Sequence, residues 1–344
     1  MIGNIVITGG GTGGHLKVAK AFIDELAVDK NIKPIFIGSI NGQDKKWFEN
    51  YENLEKTYFL NTKGVVNKGL LGKVKALFQI FFQTLKCYIL FLKNDVKTVI
   101  SVGGFSAAPA TFASILIPSC KLYIHEQNSY MGKLNKITSK FASEVFSSYL
   151  EDSKIKDYPV SEEFFLNSRV REKVKKVIFL GGSQGARAIN NFALSVAKEL
   201  DNLGIKIIHQ TGGNDFERVK NEYKKLDIEV DVFDFTNNLV DKMKEADFAI
   251  SRSGASTLWE LVANGLPTLF VPFPYAAQDH QYGNAKFLNE KNLAFLVREK
   301  DLNKDILTEV LDCDIESISK NLVKLISNDA RKKIIDFVLS ENQK

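Results

Sequence analysis

Residues 4–15 read NIVITGGGTGGH, and residues 176–187 read KVIFLGGSQGAR. In both stretches a short apolar run leads into a glycine loop, and a helical pattern follows the loop. This order of strand, glycine turn and helix is how a βαβ unit opens. Because the order occurs twice, the sequence predicts an α/β protein with two Rossmann-like, doubly wound halves.

Further short apolar runs alternate with helical patterns along the chain, as expected for parallel strands buried on both faces. A chain of 344 residues is long enough for two domains, and a turn at Pro159 marks the boundary. We expect an N-terminal domain over residues 1–157, a second domain over residues 163–325 and a closing helical segment over residues 326–344. The further predicted strands are residues 34–38, 98–102, 121–125, 205–210, 247–251 and 268–272.

The composition is that of an ordinary globular protein, with 44% hydrophobic and 25% charged residues. The three cysteines form no CxxC pair, so we expect neither a disulfide framework nor a zinc cluster, and a reducing compartment fits. The start of the sequence has no basic region followed by a cleavage site, and we expect no signal peptide. A net charge of +5 is too small to indicate a nucleic-acid partner.

The first glycine loop, residues 9–14, has the composition of a ligand-binding turn. Glycines let the backbone approach a phosphate or a sugar closely, and the helix that follows offers N–H groups. His15 stands at the start of this helix, where the positive end of the helix dipole disfavours imidazolium. A neutral histidine can accept a proton, which makes His15 a candidate general base. The alternatives are a plain tight turn and a histidine that only hydrogen-bonds the loop.

The second glycine loop, residues 181–185, contains Ser183, whose hydroxyl could donate to a phosphate oxygen. Residues 251–257 read SRSGAST and open a helix that ends at Gly265. Small residues and hydroxyls at a helix N-terminus suit a diphosphate. Glu260, about one turn inside, could accept two hydrogen bonds from a ribose diol. The alternatives are a structural turn and a glutamate that only complements the helix dipole.

Two polar clusters also follow predicted strands. Residues 125–128 read HEQN and come after the run at residues 121–124, and residues 279–281 read DHQ in a loop after the strand at 268–272. Ligands bind at the carboxyl ends of parallel strands in open α/β sheets. Both clusters are therefore candidates for ligand contact, with a polar capping loop as the alternative.

Residues 56–94 carry seven lysines and no acidic residue, with apolar residues at helical spacing. Apolar side chains framed by lysines fit a helix lying on an anionic bilayer, and a core helix covering the sheet is the alternative. Polar residues interrupt the apolar run, which falls short of the ~18–20 apolar residues of a membrane span. We expect residues 69–82 to contact the membrane and residues 84–92 to lie largely in the core. The residues predicted for membrane contact are Lys68, Leu70, Leu71, Lys73, Val74, Lys75, Leu77, Phe78 and Phe81.

No metal or other cofactor is predicted. The D-x-D sequence at residues 312–314 is of a kind that can hold a metal ion on a diphosphate, but it is remote from both glycine loops and reads as acids at two helix ends. No histidine–carboxylate group has zinc spacing. A nucleophile elbow and a Walker lysine loop are both absent from the sequence.

Six motifs together resemble the MurG family of N-acetylglucosaminyltransferases. The resemblance covers most of the chain and implies the two-domain glycosyltransferase-B fold, with the active site in the cleft between domains and the C-terminal helix returning to the first domain. The motifs, in the family's order, are ITGGGTGGH, GGFSAAPA, HEQNSYMGKLNK, LGGSQGAR, SRSGASTLWE and the stretch from LPTLFVPFP to DHQYGNA.

The resemblance implies an inverting transfer of N-acetylglucosamine from UDP-N-acetylglucosamine to lipid I, which is undecaprenyl-pyrophosphoryl-MurNAc-pentapeptide. The C4 hydroxyl of the muramoyl sugar is the acceptor, and the product is lipid II for peptidoglycan synthesis. A base must take the hydroxyl proton, and we favour His15, with Glu126 as rival or orienting partner. Ser183 and the helix start near Ser253 would stabilise the departing diphosphate without a metal.

The resemblance also assigns donor contacts. Glu260 would bind the ribose hydroxyls, Thr236 would lie beside the uracil, and Gln281 would read the sugar hydroxyls. The donor sugar and diphosphate would face Thr12, Gly13 and Gly14, with Asn128 on the N-acetylglucosamine and Ser183 on the diphosphate. The diphosphate and ribose would be held by Ala255, Ser256, Thr257, Leu258, Trp259 and Glu260.

One departure from the family pattern lies at the domain boundary. The family usually has asparagine-proline-valine-arginine there, with the arginine near the phosphates, whereas residues 158–161 read YPVS. Ser161 cannot supply the positive charge. Either Arg169, Arg171 or another cation takes its place, or phosphate binding depends on the helix N-terminus.

Because lipid I stays in the bilayer, the resemblance implies a peripheral protein on the cytoplasmic face of the bacterial inner membrane. The implied partners are anionic lipid and other cell-wall synthesis proteins, with roles in cell shape and division. One alternative is a related transferase with a glycerolipid acceptor, such as diacylglycerol. Others are a 2-epimerase acting on a soluble UDP-sugar, which the basic apolar segment disfavours, and a non-catalytic nucleotide-binding module, which His15 and the first glycine loop disfavour. Neither glycine loop has the usual form of a dehydrogenase loop, because Thr12 and His15 occupy distinctive places in the first, which matches the G-x-G-x-x-G spacing, and the second lacks that spacing.

Overall fold

The structure, a computed structural model, describes residues 3–64, 69–182, 185–236 and 238–342. Two residues predicted for ligand or membrane contact, Ser183 and Lys68, lie outside these ranges. The side chains of Leu70, Leu71 and Lys73, in a helix whose backbone is described, lie outside the description as well.

The chain divides into two compact units. Unit 1 comprises Met1–Val160 and Asn328–Lys344, and unit 2 comprises Ser161–Ser327. Each unit is built on a parallel β-sheet covered by helices, as the predicted α/β class requires.

Unit 1 is built on one parallel sheet, whose strands are β1 (Asn4–Thr8), β2 (Ile35–Ser39), β3 (Lys56–Leu60), β4 (Val96–Ser101), β5 (Lys121–His125) and β6 (Glu144–Phe146). The order across the sheet is β3-β2-β1-β4-β5-β6, with Val6 opposite Val99 in the central pair. A π-helical turn, Glu25–Asp29, extends the first helix. The helices before unit 2 are α1 (Gly13–Asp24), α2 (Asp44–Phe48), α3 (Leu70–Lys93), α4 (Ala108–Ile115) and α5 (Lys133–Thr138).

Unit 2 repeats this plan. Its strands are β7 (Lys176–Leu180), β8 (Lys206–Gln210), β9 (Val230–Phe233), β10 (Phe248–Ser251), β11 (Thr268–Phe270) and β12 (Phe295–Leu296), and they form a parallel sheet in the order β12-β11-β10-β7-β8-β9. Its helices are α6 (Glu162–Leu166), α7 (Arg187–Asn202), α8 (Phe216–Leu226), α9 (Leu239–Glu245), α10 (Ala255–Ala263), α11 (His280–Glu290), α12 (Asp305–Leu311) and α13 (Ile315–Val323).

The inner strands of both sheets match the predicted runs to within a few residues. The edge strands β3, β6, β9 and β12 were not predicted. Their side chains are largely half-buried or exposed, whereas the inner strands are almost entirely buried. An edge strand therefore lacks the continuous apolar run that marks an inner parallel strand.

The last helix, α14 (Ala330–Glu341), packs on unit 1. Lys30 forms an ion pair with Asp336, with Nζ and Oδ1 2.6 Å apart. The rings of Phe146 and Phe337 meet edge to face, with centroids 5.6 Å apart. The C-terminal helix therefore belongs to unit 1, the unit that also contains the N-terminal segment.

Helix α3 is buried on one side only. Ala76, Cys87 and Phe91 are buried, and the latter two join the core between the sheet and α4. The expectation that residues 84–92 lie largely in the core is wrong, because apolar residues lie on both sides of the helix and only one side meets the sheet. The opposite, apolar face of α3 is 42–62% exposed at Val74, Leu77, Phe78, Phe81, Phe82, Leu85, Ile89 and Leu92.

Among the described residues, Val74–Lys93 of α3 is the stretch long and apolar enough to cross a membrane by length and composition, with a mean hydropathy of 1.3. Within this stretch 28% is buried in the protein. Polar residues interrupt this stretch, and from them a run shorter than a membrane span was predicted, but they leave its mean hydropathy high. A core helix of a soluble protein meets the same criteria, so the finding is weak evidence for a span.

Candidate active site

In each unit the glycine loop lies where the strand order reverses. The first loop follows β1, which neighbours β4, and the second follows β7, which neighbours β10. Such a reversal opens a crevice at the carboxyl ends of the strands, and ligands of doubly wound folds bind there. The two glycine-rich stretches thus occupy equivalent positions in the two units.

The backbone of the first loop requires glycine. Gly9, Gly10 and Gly11 have φ angles of +125°, +154° and +85°, which other residues rarely adopt. A Cβ atom on Gly9 would lie 2.5 Å from the carbonyl oxygen of Gly103, and one on Gly11 would lie 2.3 Å from the Phe105 ring. The loop therefore fits tightly against the residues that follow β4.

His15 lies in the first turn of α1, half-buried, with Thr12 at the N-cap. The Thr12 hydroxyl and His15 Nδ1 are 2.9 Å apart, a contact that fixes the orientation of the imidazole. On the other side of the ring, a Cβ atom on Gly103 would lie 3.6 Å from His15 Nε2 and 3.2 Å from Asn135 Nδ2. His15 and Asn135 thus converge over Gly103, a position that has no side chain of its own.

Glu126 is buried, with 3% of its surface exposed, and its carboxylate binds its own loop. Oε1 accepts the backbone N–H of Asn128 at 3.0 Å. Oε2 accepts the N–H of Gly132 at 2.9 Å and the side-chain amide of Asn135 at 2.8 Å. Of the two roles expected for Glu126, these contacts favour that of orienting partner, because both oxygens hold the loop that carries Asn128.

His125, next to Glu126, is a core residue. Its ring meets those of Phe22 and Tyr158 edge to face, with centroids 5.7 and 5.5 Å away. Burial, followed by the positive charge of a protonated His15, lowers the pKa of His125 to about 3. His125 is therefore neutral across the physiological range.

In unit 2, the loop between β10 and α10 is held by its neighbours. Arg252 donates to the carbonyl oxygens of Val271 and Pro272, both at 3.0 Å, and pairs with Glu299 at 2.6 Å. The amide of Asn284 donates to the carbonyl of Ser253 at 3.1 Å. These contacts fix the N-terminus of α10, whose first N–H groups have no acceptor within the helix.

The predicted donor-binding run, residues 255–260, is largely buried. Leu258 and Trp259 are 0% and 3% exposed, and Trp259 stacks on Phe287 with ring centroids 5.4 Å apart. Their side chains belong to the core, so contact with a diphosphate would involve the backbone N–H groups of the first turn. Glu260 is also buried, with 4% exposed.

Gln281 and Thr236 follow strands near opposite edges of the unit 2 sheet. Gln281 follows β11, and its Oε1 accepts the backbone N–H of Phe273 at 2.9 Å. Asp279, two residues earlier, has a left-handed φ of +54° and binds Arg298 at 2.8 Å. Thr236 follows β9, where its hydroxyl accepts the N–H of Asn238 at 3.0 Å. Ser183 lies outside the described residues.

Arg169 and Arg171, the two named candidates to replace the missing boundary arginine, both make contacts within unit 2. Arg169 pairs with Asp247 at 2.6 Å and donates to the carbonyl of Lys244. Arg171 is fully buried and donates to backbone carbonyls at the ends of α9 and α10, including that of Met243 at 3.0 Å. Its burial lowers the pKa of the guanidinium to about 9. Both cations are engaged within unit 2.

The carboxylates of the D-x-D sequence lie at helix ends. Asp314 caps α13, where its Oδ1 accepts the N–H of Ser317 at 3.0 Å, and Asp312 ends α12. Across the residues described by the structure, no group of three or more His, Cys, Asp and Glu side chains is arranged to hold a metal ion. The absence of a metal from the reaction stays a prediction.

Sequence reasoning missed two side chains at the first loop, Asp44 and Asn135. Asp44 accepts the N–H of Gly11, and Asn135 binds Glu126. Asn135 lies inside the quoted HEQNSYMGKLNK motif, and its place in that motif was the available signal. Asp44 stands in a polar, glycine-containing stretch after β2, and this position was the one available signal.

Comparison with known proteins identifies the family. The model of the glycosyltransferase family 28 N-terminal domain matches residues 5–147, and that of the C-terminal domain matches residues 176–336. A UDP-N-acetylglucosamine–N-acetylmuramyl-(pentapeptide) pyrophosphoryl-undecaprenol N-acetylglucosamine transferase of Sulfurovum sp. is 49% identical over 97% of this chain and 98% of its own length. One of the same name from Sulfurimonas denitrificans is 50% identical over 98% and 99%. The chain belongs to the MurG family.

A solved structure supports the fold expected of a MurG-family chain. The MurG of Acinetobacter baumannii aligns with a TM-score of 0.81 at 24% identity, covering 98% of this chain and 99% of its own. The UDP-GlcNAc 2-epimerase of Neisseria meningitidis, solved with UDP-GlcNAc, aligns with a TM-score of 0.65 at 13% identity, covering 98% and 100%. These likenesses concern the fold. The predicted class, two Rossmann-like domains of the glycosyltransferase-B fold, is confirmed.

Proposed function

We infer that this protein is an inverting glycosyltransferase that moves N-acetylglucosamine from UDP-N-acetylglucosamine to lipid I. The product is lipid II, the precursor of peptidoglycan. The observation that carries this conclusion is identity of 47–50% over nearly the whole chain with relatives named for this donor and acceptor. The matched length includes both glycine loops and the polar cluster after β5.

The proposed chemistry is a direct displacement. The C4 hydroxyl of the muramoyl sugar attacks the anomeric carbon, and the bond from that carbon to the diphosphate oxygen breaks on the opposite face. His15 accepts the hydroxyl proton, and UDP leaves with its negative charge on the diphosphate. Three observations support His15 in this role: its place in the first turn of α1, the Thr12 hydroxyl at Nδ1, and the approach of His15 and Asn135 to the same point over Gly103. Glu126 orients the loop that carries Asn128.

Donor binding is proposed to use unit 2. The first-turn N–H groups of α10 hold the diphosphate without a metal, because a helix N-terminus carries a partial positive charge. Ser183 assists at the diphosphate, Glu260 binds the ribose, and Thr236 and Gln281 lie beside the uracil and the sugar. Arg252 supports this arrangement by tying the loop before α10 to the end of β11.

We further propose that the exposed apolar face of α3 lies on the cytoplasmic surface of the inner membrane, where lipid I is presented. Exposed lysines lie along the same segment, among them Lys63, Lys75 and Lys86. Each basic residue near an anionic surface contributes about 1 kcal/mol of binding, in addition to the buried apolar area. Other cell-wall synthesis proteins would be partners there, and the activity would serve cell shape and division.

The function is tested by supplying radiolabelled UDP-N-acetylglucosamine with three acceptors in separate reactions: lipid I in vesicles, diacylglycerol in vesicles, and none. Label is expected in the lipid fraction with lipid I. Transfer to diacylglycerol in its place would establish the glycerolipid alternative, and conversion of the sugar nucleotide without acceptor would establish an epimerase. A structure with bound UDP-N-acetylglucosamine would test the individual donor contacts.

A further inference from the structure

Asp44 lies behind the first glycine loop, and the reaction proposed above gives it no role. It is the first residue of α2, and its side chain is fully buried. Oδ2 accepts the backbone N–H of Gly11 at 2.7 Å, and Oδ1 accepts the N–H of Ser39 at 3.0 Å. One carboxylate thus connects the loop after β1 to the end of β2.

The surroundings of Asp44 are shaped to admit its carboxylate. A Cβ atom on Gly10 would lie 2.6 Å from Oδ1, one on Gly38 would lie 2.8 Å from Oδ1, and one on Gly42 would lie 3.0 Å from Oδ2. Glycines at all three positions leave room for the two oxygens. Burying a charge is costly unless it is hydrogen-bonded, so this enclosed carboxylate depends on the two N–H groups that it binds.

The first loop needs such a support because its own backbone is pliable. Three consecutive glycines with positive φ have many alternative conformations to lose on folding. One side of the loop rests on the residues after β4, where Gly10 donates to the carbonyl of Gly103 at 3.1 Å. Asp44 provides the fixed point on the other side. Thr12 follows Gly11 directly, and the Thr12 hydroxyl orients His15.

We propose that Asp44 is a positioning residue of the transferase. Its carboxylate fixes the N–H of Gly11, and through the loop it holds Thr12 and His15 in the geometry for proton transfer. Asp44 itself touches no reactant. This inference rests on the proposed role of His15, and the experiment below separates failure of one from failure of the other.

The central variant is Asp44→Asn, which preserves the size of the side chain but leaves a single oxygen to accept two N–H groups. With lipid I in vesicles, kcat is expected to fall by about tenfold to a hundredfold, because a small misplacement of a catalytic group has an effect of this order. The dissociation constant for UDP, measured by calorimetry, is expected to change far less than kcat, since most of the proposed nucleotide contacts are in unit 2. Amide exchange of residues 9–14 is expected to become faster.

The matched control is Asp24→Asn. Asp24 is another partly buried carboxylate of unit 1, bound to Lys20, Tyr51 and Asn53 at the far end of α1. This variant is expected to keep wild-type kcat and wild-type exchange in residues 9–14. Wild-type kcat or unchanged exchange in Asp44→Asn would overturn the proposal, and so would equal effects in the two variants.

Combination with His15→Ala identifies the route of the effect. If Asp44 acts through His15, adding Asp44→Asn to His15→Ala lowers kcat no further, whereas a general loss of structure would lower it by the same factor again. A full further loss would overturn the proposal. If His15→Ala alone kept wild-type turnover, the proposed base would be wrong, while faster exchange in Asp44→Asn would still show that Asp44 holds the loop.

If Asp44→Asn does not fold, Gly42→Ala takes its place. The added methyl group would lie 2.9 Å from Gly11 Cα and 3.0 Å from Asp44 Oδ2, so it displaces the contact while the charge is kept. A fall in kcat that is much larger than any change in UDP binding is expected again. Wild-type turnover in a folded Gly42→Ala protein whose loop exchanges faster would overturn the proposal.

Discussion

His15 and His125 are neighbours with different surroundings. His125 is buried among aromatic rings and has a pKa of about 3, so it stays neutral and uncharged in the core. His15 is half-buried, at a helix start and next to a hydroxyl. A group that exchanges a proton with a substrate must be reachable from solvent and held in one orientation. His15 meets both conditions.

Replacement of His15 should therefore affect turnover far more than donor binding. A general base contributes about 10²–10⁴-fold to the rate, so kcat of His15→Ala is expected to fall by a factor in this range. His15→Gln is the matched variant, because it can still bind Thr12 but cannot take a proton. Assays with lipid I and calorimetry with UDP-N-acetylglucosamine provide the two measurements. Wild-type turnover in either variant would remove His15 from the mechanism.

Arg171 is a residue whose role sequence alone could not settle. Its guanidinium donates to Met243 O at 3.0 Å, Ala246 O at 3.2 Å and Asn264 Oδ1 at 2.5 Å, all at helix C-termini. In the sequence it is one of two nearby arginines, and nothing in the pattern separates a buried cation from a phosphate ligand. The distinction comes from the fold, in which oxygens at the C-terminal ends of α9 and α10 both lie within hydrogen-bond distance of this guanidinium.

Arg171→Met is expected to lower the free energy of unfolding of unit 2 by about 3 kcal/mol or more, because buried carbonyl oxygens lose a charged donor. Arg169→Met is the matched control. Arg169 has 38% of its side chain exposed, and its ion pair with Asp247 is worth at most about 1 kcal/mol. Urea unfolding measures both effects. Loss of UDP affinity in a folded Arg171→Met protein would instead favour a role in phosphate binding.

At the scale of elements, the sequence predicts the inner strands and misses the edges. The runs that become β1, β4 and β5 are apolar because helices cover both faces of the sheet there. Edge strands such as β3, with the sequence KTYFL, have water on one side and mixed composition. The glycine loops were also predictable, since positive φ and close packing restrict those positions to glycine.

The contact between Asp44 and Gly11 was beyond sequence reasoning for a related reason. The two residues are 33 positions apart, and they meet because β1 and β2 pair in parallel with Thr8 opposite Ile37. That register is a property of the folded sheet. The sequence around a single aspartate does not indicate which strand it will lie beside.

The exposed apolar face of α3 gives a prediction at the level of the element. Phe78→Asp and Phe81→Asp should each weaken binding to anionic vesicles strongly, because each replaces an apolar side chain at the bilayer boundary with a negatively charged one. Charge reversal at Lys68, Lys73 and Lys75 should weaken it further. Both phenylalanines are more than half exposed, so stability should change little. Co-sedimentation with liposomes is the measurement.

Leu166→Asp is the matched control for these variants, since Leu166 is 74% exposed but lies in unit 2. Its vesicle binding should equal that of the wild type. If vesicle binding did not depend on the anionic lipid content and was the same in the wild type and the α3 variants, this face would be rejected as the membrane contact.

For the whole molecule, each unit contains one buried histidine with a strongly lowered pKa. His125 belongs to unit 1. In unit 2, His209 is 2.8 Å from the Tyr223 hydroxyl through Nδ1 and 3.0 Å from Asn190 Oδ1 through Nε2, and burial lowers its pKa to about 3. In the unfolded chain both would titrate near the ordinary value of about 6.5.

Acid should therefore destabilise both units. The unfolded chain binds protons that the folded chain excludes, so stability is complete above about pH 6.5 and falls as the pH drops towards 3. At about pH 5 each histidine would cost about 2 kcal/mol of unfolding free energy. Urea unfolding at about pH 7.5 and about pH 5 measures the difference.

His209→Gln should reduce the acid sensitivity of unit 2, because it removes the buried imidazole whose pKa is lowered. Equal stability of the wild-type protein at the two pH values would contradict the assignment of these histidines as buried neutral groups.

Helix α14 follows unit 2 in the chain and packs on unit 1, where Ile334, Ile335 and Val338 are fully buried. On the ribosome, every residue of unit 2 therefore emerges before the segment that closes unit 1. Until translation delivers those three side chains, the apolar surface that awaits them stays open to water and to other nascent chains. During this period unit 1 is less complete than unit 2, although most of unit 1 is synthesised first.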